Sequence, residues 1–346
     1  MSQESENQEP INNQVNKILV VSYAGSEKLV KKLADGKDDV ELFALEQRSP
    51  DGTFNFAVLK PAIDYAKEKG FHLIIAVDQE SSRLSIVVQK GVGGAFMVLN
   101  SHQTAAILLQ YWIQSGLYED MKLLKSILLS DLLDNVAKKH RIEPIDQVIP
   151  ANELQSAMQK VLTENESSPV VAFNIDQQVM HSNLDFEEIV AQLIKLESEM
   201  RTKEKTIYNF LLDIYFYNGF FKEKTVTIDL SIQAHQGQVS KFMTEVSRRP
   251  KFLEEIFSVS SVTDFKKGIK KNILTDRVYD YPISGENILK IETVEGVSIT
   301  LVPVDDKLTY YISVRESVNT PERFESANKA LDKEIFKLVS FLNKQI

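Results

Sequence analysis

Apolar and polar positions divide the chain into three regimes. Between residues 17 and 115, continuous apolar runs alternate with stretches whose apolar residues recur at three and four positions, the pattern of a parallel sheet with crossover helices. Residues 18–23, ILVVSY, are a continuous apolar run and are expected to form a strand covered on both sides. Ser26 caps a helix expected to run to Leu33, and residues 40–45 supply a second strand. An amphipathic helix over 59–69 ends at Gly70, a third buried strand follows over 72–77, and 84–88 pairs with 95–99 around Gly91, Gly93 and Gly94. The apolar stretch 105–113 is a buried helix, because Gln110 interrupts it and it has about half the length needed to cross a bilayer.

A second α/β unit is expected over 116–223. Its elements are a strand over 125–129, a helix capped by Ser130 and running to Lys139, a helix over 154–162 and a strand over 170–174. Helices over 186–200 and 206–217 follow, and Gly219 ends the pair. From residue 224 the order changes to a strand, a helix, several strands and a last helix over 321–342. In that helix Phe324, Ala327, Leu331, Ile335, Leu338 and Leu342 make one apolar stripe, the pattern of an α+β domain.

Composition narrows the chemistry. The chain has 346 residues, 43% of them hydrophobic, and no cysteine, so disulfide frameworks, thiolate zinc sites and cysteine nucleophiles are excluded together. Residues 1–16 carry Glu4, Glu6 and Glu9 without a Lys, an Arg or an apolar run, and are expected to be a disordered acidic tail rather than a signal peptide. These features point to a cytoplasmic protein. A net charge of -9 disfavours nucleic acid as a partner, and no membrane span is expected. The one dense basic group, Lys266, Lys267, Lys270 and Lys271, lies at helical spacing and is expected to be a solvated face. His72, His102, His140, His181 and His235 show no paired ligand spacing. The glycines at 91, 93 and 94 precede a strand rather than a helix, so they do not make a dinucleotide cradle, and Trp112 belongs to the core.

Several segments in register resemble the phosphohexomutases, the phosphoglucomutase and phosphomannomutase family. Pro50, Asp51, Gly52 and Phe54 resemble that family's Pro-Asp-Gly-x-Phe, and LIIAVDQESSRL over 73–84 is similar to its metal loop. Residues 94–112 resemble the glycine hairpin, the substrate-side segment and the apolar helix that follow, with Gln103 kept and Asn100 and Ser101 divergent. Residues 125–139 and 217–230 resemble third-domain segments. The resemblance implies two phosphoglucomutase-like α/β domains with mixed sheets and crossover helices, over 17–115 and 116–223, followed by a C-terminal α+β, TBP-like domain over 224–346. It also implies that the family's first domain, which carries the phosphorylated serine, is missing, because sixteen residues precede the first strand.

The reaction of that family moves a phosphoryl group between two hydroxyls of a hexose and needs the serine, a Mg2+ ion and an anion clamp. Where intact members set three carboxylates, this chain has Asp78, Glu80 and Ser82, followed by Arg83, so the metal loop is expected to be vestigial and no metal or other cofactor is expected. The third-domain sugar loop is replaced by Asn174, Ile175, Asp176, Gln177 and Gln178, and the loop before it by residues 149–153. The fourth-domain phosphate loop aligns with 301–308, where Pro303, Asp305, Asp306 and Lys307 leave two carboxylates in the place of a phosphate. The expectation is a non-catalytic pseudoenzyme that binds a protein partner or itself rather than a phosphosugar. The alternatives are a phosphosugar mutase or hexose-phosphate-binding component needing a separate catalytic domain, and a sensor that uses the inter-domain cleft for another ligand.

Overall fold

In a computed structural model of the chain, residues 17–24, 32–33, 39–80, 82–116, 120–164, 168–229, 236–304, 307–342 and 344 are described. The expected helix from Ser26 lies outside them except for Lys32 and Leu33, as do residues 1–16. The apolar runs of the first regime form a mixed sheet of five strands: β1 (Ile18–Tyr23), β2 (Val40–Leu45), β3 (Leu73–Asp78), β4 (Arg83–Gln89) and β5 (Phe96–Val98), in the order β2-β1-β3-β4-β5. β1 is parallel to β2 and β3, whereas β4 and β5 are antiparallel additions. Every residue of β1, β3 and β4 is buried, because helices cover both faces.

Helix α1 (Phe56–Lys69) covers one face through Leu59, Ala62, Ile63 and Ala66. It starts three residues before the periodicity suggests because Asn55 caps it, accepting a hydrogen bond from the Val58 amide, and it stops at Gly70, whose φ of 74° is left-handed. Helix α2 (Ser101–Ser115) covers the other face. Its residues Thr104 to Trp112 are all buried, since it also packs against helices of the second unit.

The second sheet has the order β7-β6-β8-β9, built from β6 (Lys122–Ser126), β7 (Pro144–Gln147), β8 (Val170–Phe173) and β9 (Val179–His181). Its helices are α3 (Leu132–Lys139), α4 (Leu154–Glu164), α5 (Phe186–Arg201) and α6 (Ile207–Asn218). Strand β6 lies three residues earlier than expected. The apolar residues on either side of Lys125 part company: Leu123 and Leu124 sit in the sheet, whereas Ile127 leaves it and packs on Phe265 and Ile288 of the C-terminal unit. Ser130 does not cap α3. Asp131 holds the cap position without a capping hydrogen bond, its carboxylate lying 2.7 Å from Lys290 Nζ instead.

The third sheet is antiparallel, seven strands in the order β10-β16-β15-β14-β11-β12-β13. They are β10 (Phe220–Asp229), β11 (Val259–Asp264), β12 (Ile269–Asn272), β13 (Val278–Asp280), β14 (Leu289–Thr293), β15 (Ser298–Val304) and β16 (Lys307–Glu316). Helices α7 (Gln236–Arg248), the single turn α8 (Lys251–Glu254) and α9 (Pro321–Leu342) complete the unit, and α9 lays its expected stripe on β16 and β10. The basic group is not helical. Lys266 and Lys267 lie in the turn between β11 and β12, Lys270 and Lys271 lie on β12, and Lys267, Lys270 and Lys271 pair with Asp264, Glu292 and Asp276. Among the described residues no helix is long and apolar enough to cross a membrane.

Candidate functional site

Several of the segments that carry the phosphohexomutase resemblance meet at one place, where β3 turns into β4. The turn follows Asp78, the last residue of β3, and leads through Glu80 and Ser82 to Arg83, the first residue of β4. Asp78 is buried at 2% exposure and Glu80 faces solvent. One oxygen of Asp78 and the hydroxyl of Tyr23, at the end of the neighbouring β1, are both buried without a hydrogen-bond partner among the described residues. Burial, then the nearby Asp78 charge, raise the Tyr23 pKa above the ordinary phenol value.

Arg83 is 5% exposed and spent on the second unit. Its Nη2 donates to Asn152 Oδ1 at 2.8 Å and to Asp176 Oδ2 at 3.3 Å, and its Nε donates to the Asp176 carbonyl at 3.1 Å. Asp176 also accepts from the Asn152 amide at 3.2 Å. The backbones join as well: the Leu84 amide donates to the Gln177 carbonyl at 3.0 Å and the Val179 amide to the Ser82 carbonyl at 2.9 Å. The first two sheets are therefore bridged at this turn.

The Pro-Asp-Gly-x-Phe segment closes the same joint. Asp51 Oδ1 accepts from Ser49 Oγ at 2.8 Å and from the Thr53 amide at 3.0 Å. Burial would raise the Asp51 pKa, but these hydrogen bonds outweigh it and hold the carboxyl below its usual range. Gly52 has a φ of 73°, and a Cβ there would collide with the Arg83 guanidinium, so only glycine fits. Gln177 then clamps Phe54 from the far side, accepting from its amide at 2.6 Å and donating to its carbonyl at 2.9 Å. Phe54 stacks on Tyr23 with ring centroids 5.1 Å apart, and Arg48 lies 4.4 Å over the other ring.

The segment that resembles the family's substrate side lies at a helix start. Asn100 caps α2, accepting from the Gln103 amide at 2.9 Å while Gln103 Oε1 accepts from the Asn100 amide at 3.0 Å. Gln103 Nε2 also donates to Tyr215 at 3.0 Å, and Ser101 Oγ donates to the Ile175 carbonyl at 2.7 Å.

The two loops expected to be vestigial are not equivalent. Asp78, Glu80, Ser82 and Arg83 lie together at the joint. Pro303 and Lys307 lie on the β15–β16 hairpin of the third sheet, where Pro303 pairs with Leu308 and Lys307 is exposed, and no hydrogen bond or ion pair links either to the Asp78 loop among the described residues. Asp305 and Asp306 lie outside the described residues. What the motifs alone did not show is that Asn152 and Asp176 hold Arg83 and that Gln177 holds Phe54. Their only sequence signal was that they stand where the family's sugar-contacting loops diverge.

Mg2+ requires near-octahedral oxygens at short range. The turn offers one buried carboxylate, one solvent-facing carboxylate and the Ser82 hydroxyl, with Arg83 bound elsewhere, and the described residues contain no group of three acidic or histidine side chains able to hold a metal. That set does not fit the ion. Of the histidines, His102 Nδ1 accepts from the Ser130 amide at 3.0 Å, and His181 Nδ1 accepts from the Asn183 amide at 3.0 Å. Both are structural acceptors.

No protein-family profile matches the chain. Two curated relatives are phosphoglucomutases, from Staphylococcus haemolyticus, 22% identical over 73% of this chain, and from Staphylococcus saprophyticus, 22% identical over 78%. The chain spans about half the length of each, 47% and 51%. Among solved structures, the exocytosis-sensitive phosphoprotein parafusin, a phosphoglucomutase from Paramecium, matches with a TM-score of 0.64 and 13% identity over 96% of this chain and 58% of its own. A phosphoglucomutase/phosphomannomutase family protein from Burkholderia thailandensis matches with a TM-score of 0.58 and 12% identity over 94% of this chain and 61% of its own. The resemblance carried by the motifs thus extends to overall sequence and to fold, and the chain has the α/β architecture of that superfamily. The expectation that the chain is not an enzyme is corrected by the same finding, because the relatives it matches are named as enzymes and nothing in the described residues demonstrates loss of activity.

Proposed function

We propose, for a chain that shares the phosphohexomutase fold, that it works in phosphosugar metabolism as a partner-dependent component. Residues 17–115, 116–223 and 224–346 act as three domains, the first two joined rigidly, while the phosphoserine and the metal ligands come from a further protein segment. The observation that carries this reading is the commitment of Arg83 to Asp176 and Asn152. A guanidinium 5% exposed whose Nε and Nη2 already hold Asp176 and Asn152 is poorly placed to take a phosphate dianion, and removing it would leave the Asp176 carboxylate without its cation.

In this reading Asp78, Glu80, Ser82 and Arg83 fasten the domains instead of binding Mg2+, and the hairpin with Pro303, Asp305, Asp306 and Lys307 does not clamp phosphate. The partner is a protein in the cytoplasm, with neither nucleic acid nor membrane involved. Relatives named phosphoglucomutase support the metabolic setting. The test is to mix the purified chain with an intact phosphoglucomutase, follow light scattering on a sizing column, and measure glucose 1-phosphate turnover with Mg2+ and glucose 1,6-bisphosphate. Co-elution with a change in turnover is expected. Independent elution with unchanged turnover, or tight Mg2+-dependent binding of glucose 1,6-bisphosphate by the chain alone, would overturn the reading.

A further inference from the structure

A concave site, which the proposed function does not use, lies among the helices of the second unit. It is a cavity of about 500 Å3 between the C-terminal half of α2, the ends of α3 and α5, and the length of α6. Gln110, on its α2 wall, is nine residues beyond Ser101, so the cavity is about 14 Å along that helix from the end that touches the Arg83 joint. The volume falls within the range of roughly 300 to 1,000 Å3 usual for small-molecule sites.

Three features of the lining specify a ligand. Gln110 is only 8% exposed, lines the cavity, and its amide has no hydrogen-bond partner among the described residues. A primary amide in that position presents a donor and an acceptor side by side to whatever enters the cavity. Around it stand aromatic rings: Tyr111 and Phe210, each 7% exposed, form walls, and Tyr217 stands 75% exposed at the mouth. At the rim, Lys139 and Lys203 have no carboxylate partner among the described residues, in a chain whose net charge is -9.

The local carboxylates are already engaged. Glu199 accepts from Tyr111 at 3.3 Å and lies 3.9 Å from Lys195, and Asp213 lies 3.6 Å from Lys205. Lys139 stands in the last turn of α3, where the helix dipole favours a cation, but Lys203 lies beyond the end of α5 and is not explained in that way. The rim is therefore set for an anion and the interior for a flat ring that carries its own donor and acceptor.

We propose that this cavity binds a small aromatic anion of the nucleoside monophosphate class. The Gln110 amide pairs with the edge of the base, as side-chain amides do with adenine; Tyr111, Phe210 and Tyr217 pack on its faces; Lys139 and Lys203 hold the phosphate. The site is independent of the Arg83 joint and stands or falls separately from the proposed function.

Isothermal titration of the full chain with adenosine 5'-monophosphate, adenosine and inorganic phosphate tests it. Saturable binding of the monophosphate is expected, with adenosine and phosphate each weaker by about tenfold or more, corresponding to roughly 1.4 kcal/mol. The double variant Lys139→Glu with Lys203→Glu changes two exposed residues, so it keeps the fold and is expected to lose about tenfold in affinity. Gln110→Leu preserves volume and is expected to lose a similar factor with an unchanged melting temperature. Absence of saturable heat at millimolar nucleotide, or equal affinity in the charge-reversed variant, would overturn the proposal.

Discussion

Arg83 is a cation held almost wholly out of water by partners from a distant loop. A buried ion pair is weak evidence for stability, yet removing one partner leaves the other charge stranded. Arg83→Met is therefore expected to lower unfolding stability by about 3 kcal/mol, read as a shift in urea midpoint, and Asp176→Asn in the same chain should recover part of the loss. The joint also holds four residues in left-handed backbone, Gly52, Ser82, Asn152 and Gln177, with φ of 73°, 52°, 64° and 69°. For a non-glycine residue this costs about 1 kcal/mol or more, so the surrounding contacts must over-determine the geometry. His181 carries a second residue-level prediction. Burial against Trp112 pushes its pKa down to about 4, and protonation of Nδ1 would end its acceptance from Asn183. Because the unfolded state binds the proton more readily, stability is complete above pH 6.5 and falls as pH drops toward 4, in total by about 3 kcal/mol. Denaturant midpoints measured between pH 7 and 4.5 should flatten in His181→Gln.

At the scale of elements, caps decide where helices begin more sharply than periodicity does. Helix α2 begins with a reciprocal box between Asn100 and Gln103, and the side chain of Asn100 also donates to Glu223 at 3.3 Å. Asn100→Ala is expected to cost about 1 kcal/mol, measured by thermal melting, because the Gln103 amide at the start of a buried helix loses its acceptor. Helix α9 was readable to its ends, since its stripe and its proline start are local features. Strand β6 was not. The run from Leu123 to Leu129 is apolar enough for a strand anywhere along it, and the choice depends on Ile127 finding Phe265, far away in the chain. The lysines 266 to 271 failed for a related reason: helical spacing among charged residues carries no packing information, and their partners lie across turns and neighbouring strands.

Across the whole molecule, buried charges tie the C-terminal sheet to the unit before it. Lys125, 1% exposed, lies 3.0 Å from Asp134 and 2.9 Å from Asp146, and Lys290 reaches from β14 to Asp131 at the start of α3. Burial would raise the Asp131 pKa, but Lys290 and Lys125 more than offset it and hold the carboxyl down at about 2. Lys290→Met is expected to loosen this contact while leaving each sheet folded. Hydrogen exchange should then show faster opening of β14 and of the α3 start, with the amides of β1 and β3 unaffected.

The sequence alone determined the alternation of strands and helices, the fully buried β1 and β3, the final helix and the phosphohexomutase resemblance, because each rests on neighbours a few positions apart. Only the tertiary structure decided what Arg83 and the backbone beside it bind. Their partners, Asn152, Asp176 and Gln177, lie about 70 to 100 residues farther along, and the left-handed turns that present them leave no mark in a hydrophobic pattern. Hydrogen bonds between distant loops are specified by the packing of the sheets beneath them, and that packing exists only once the chain has folded.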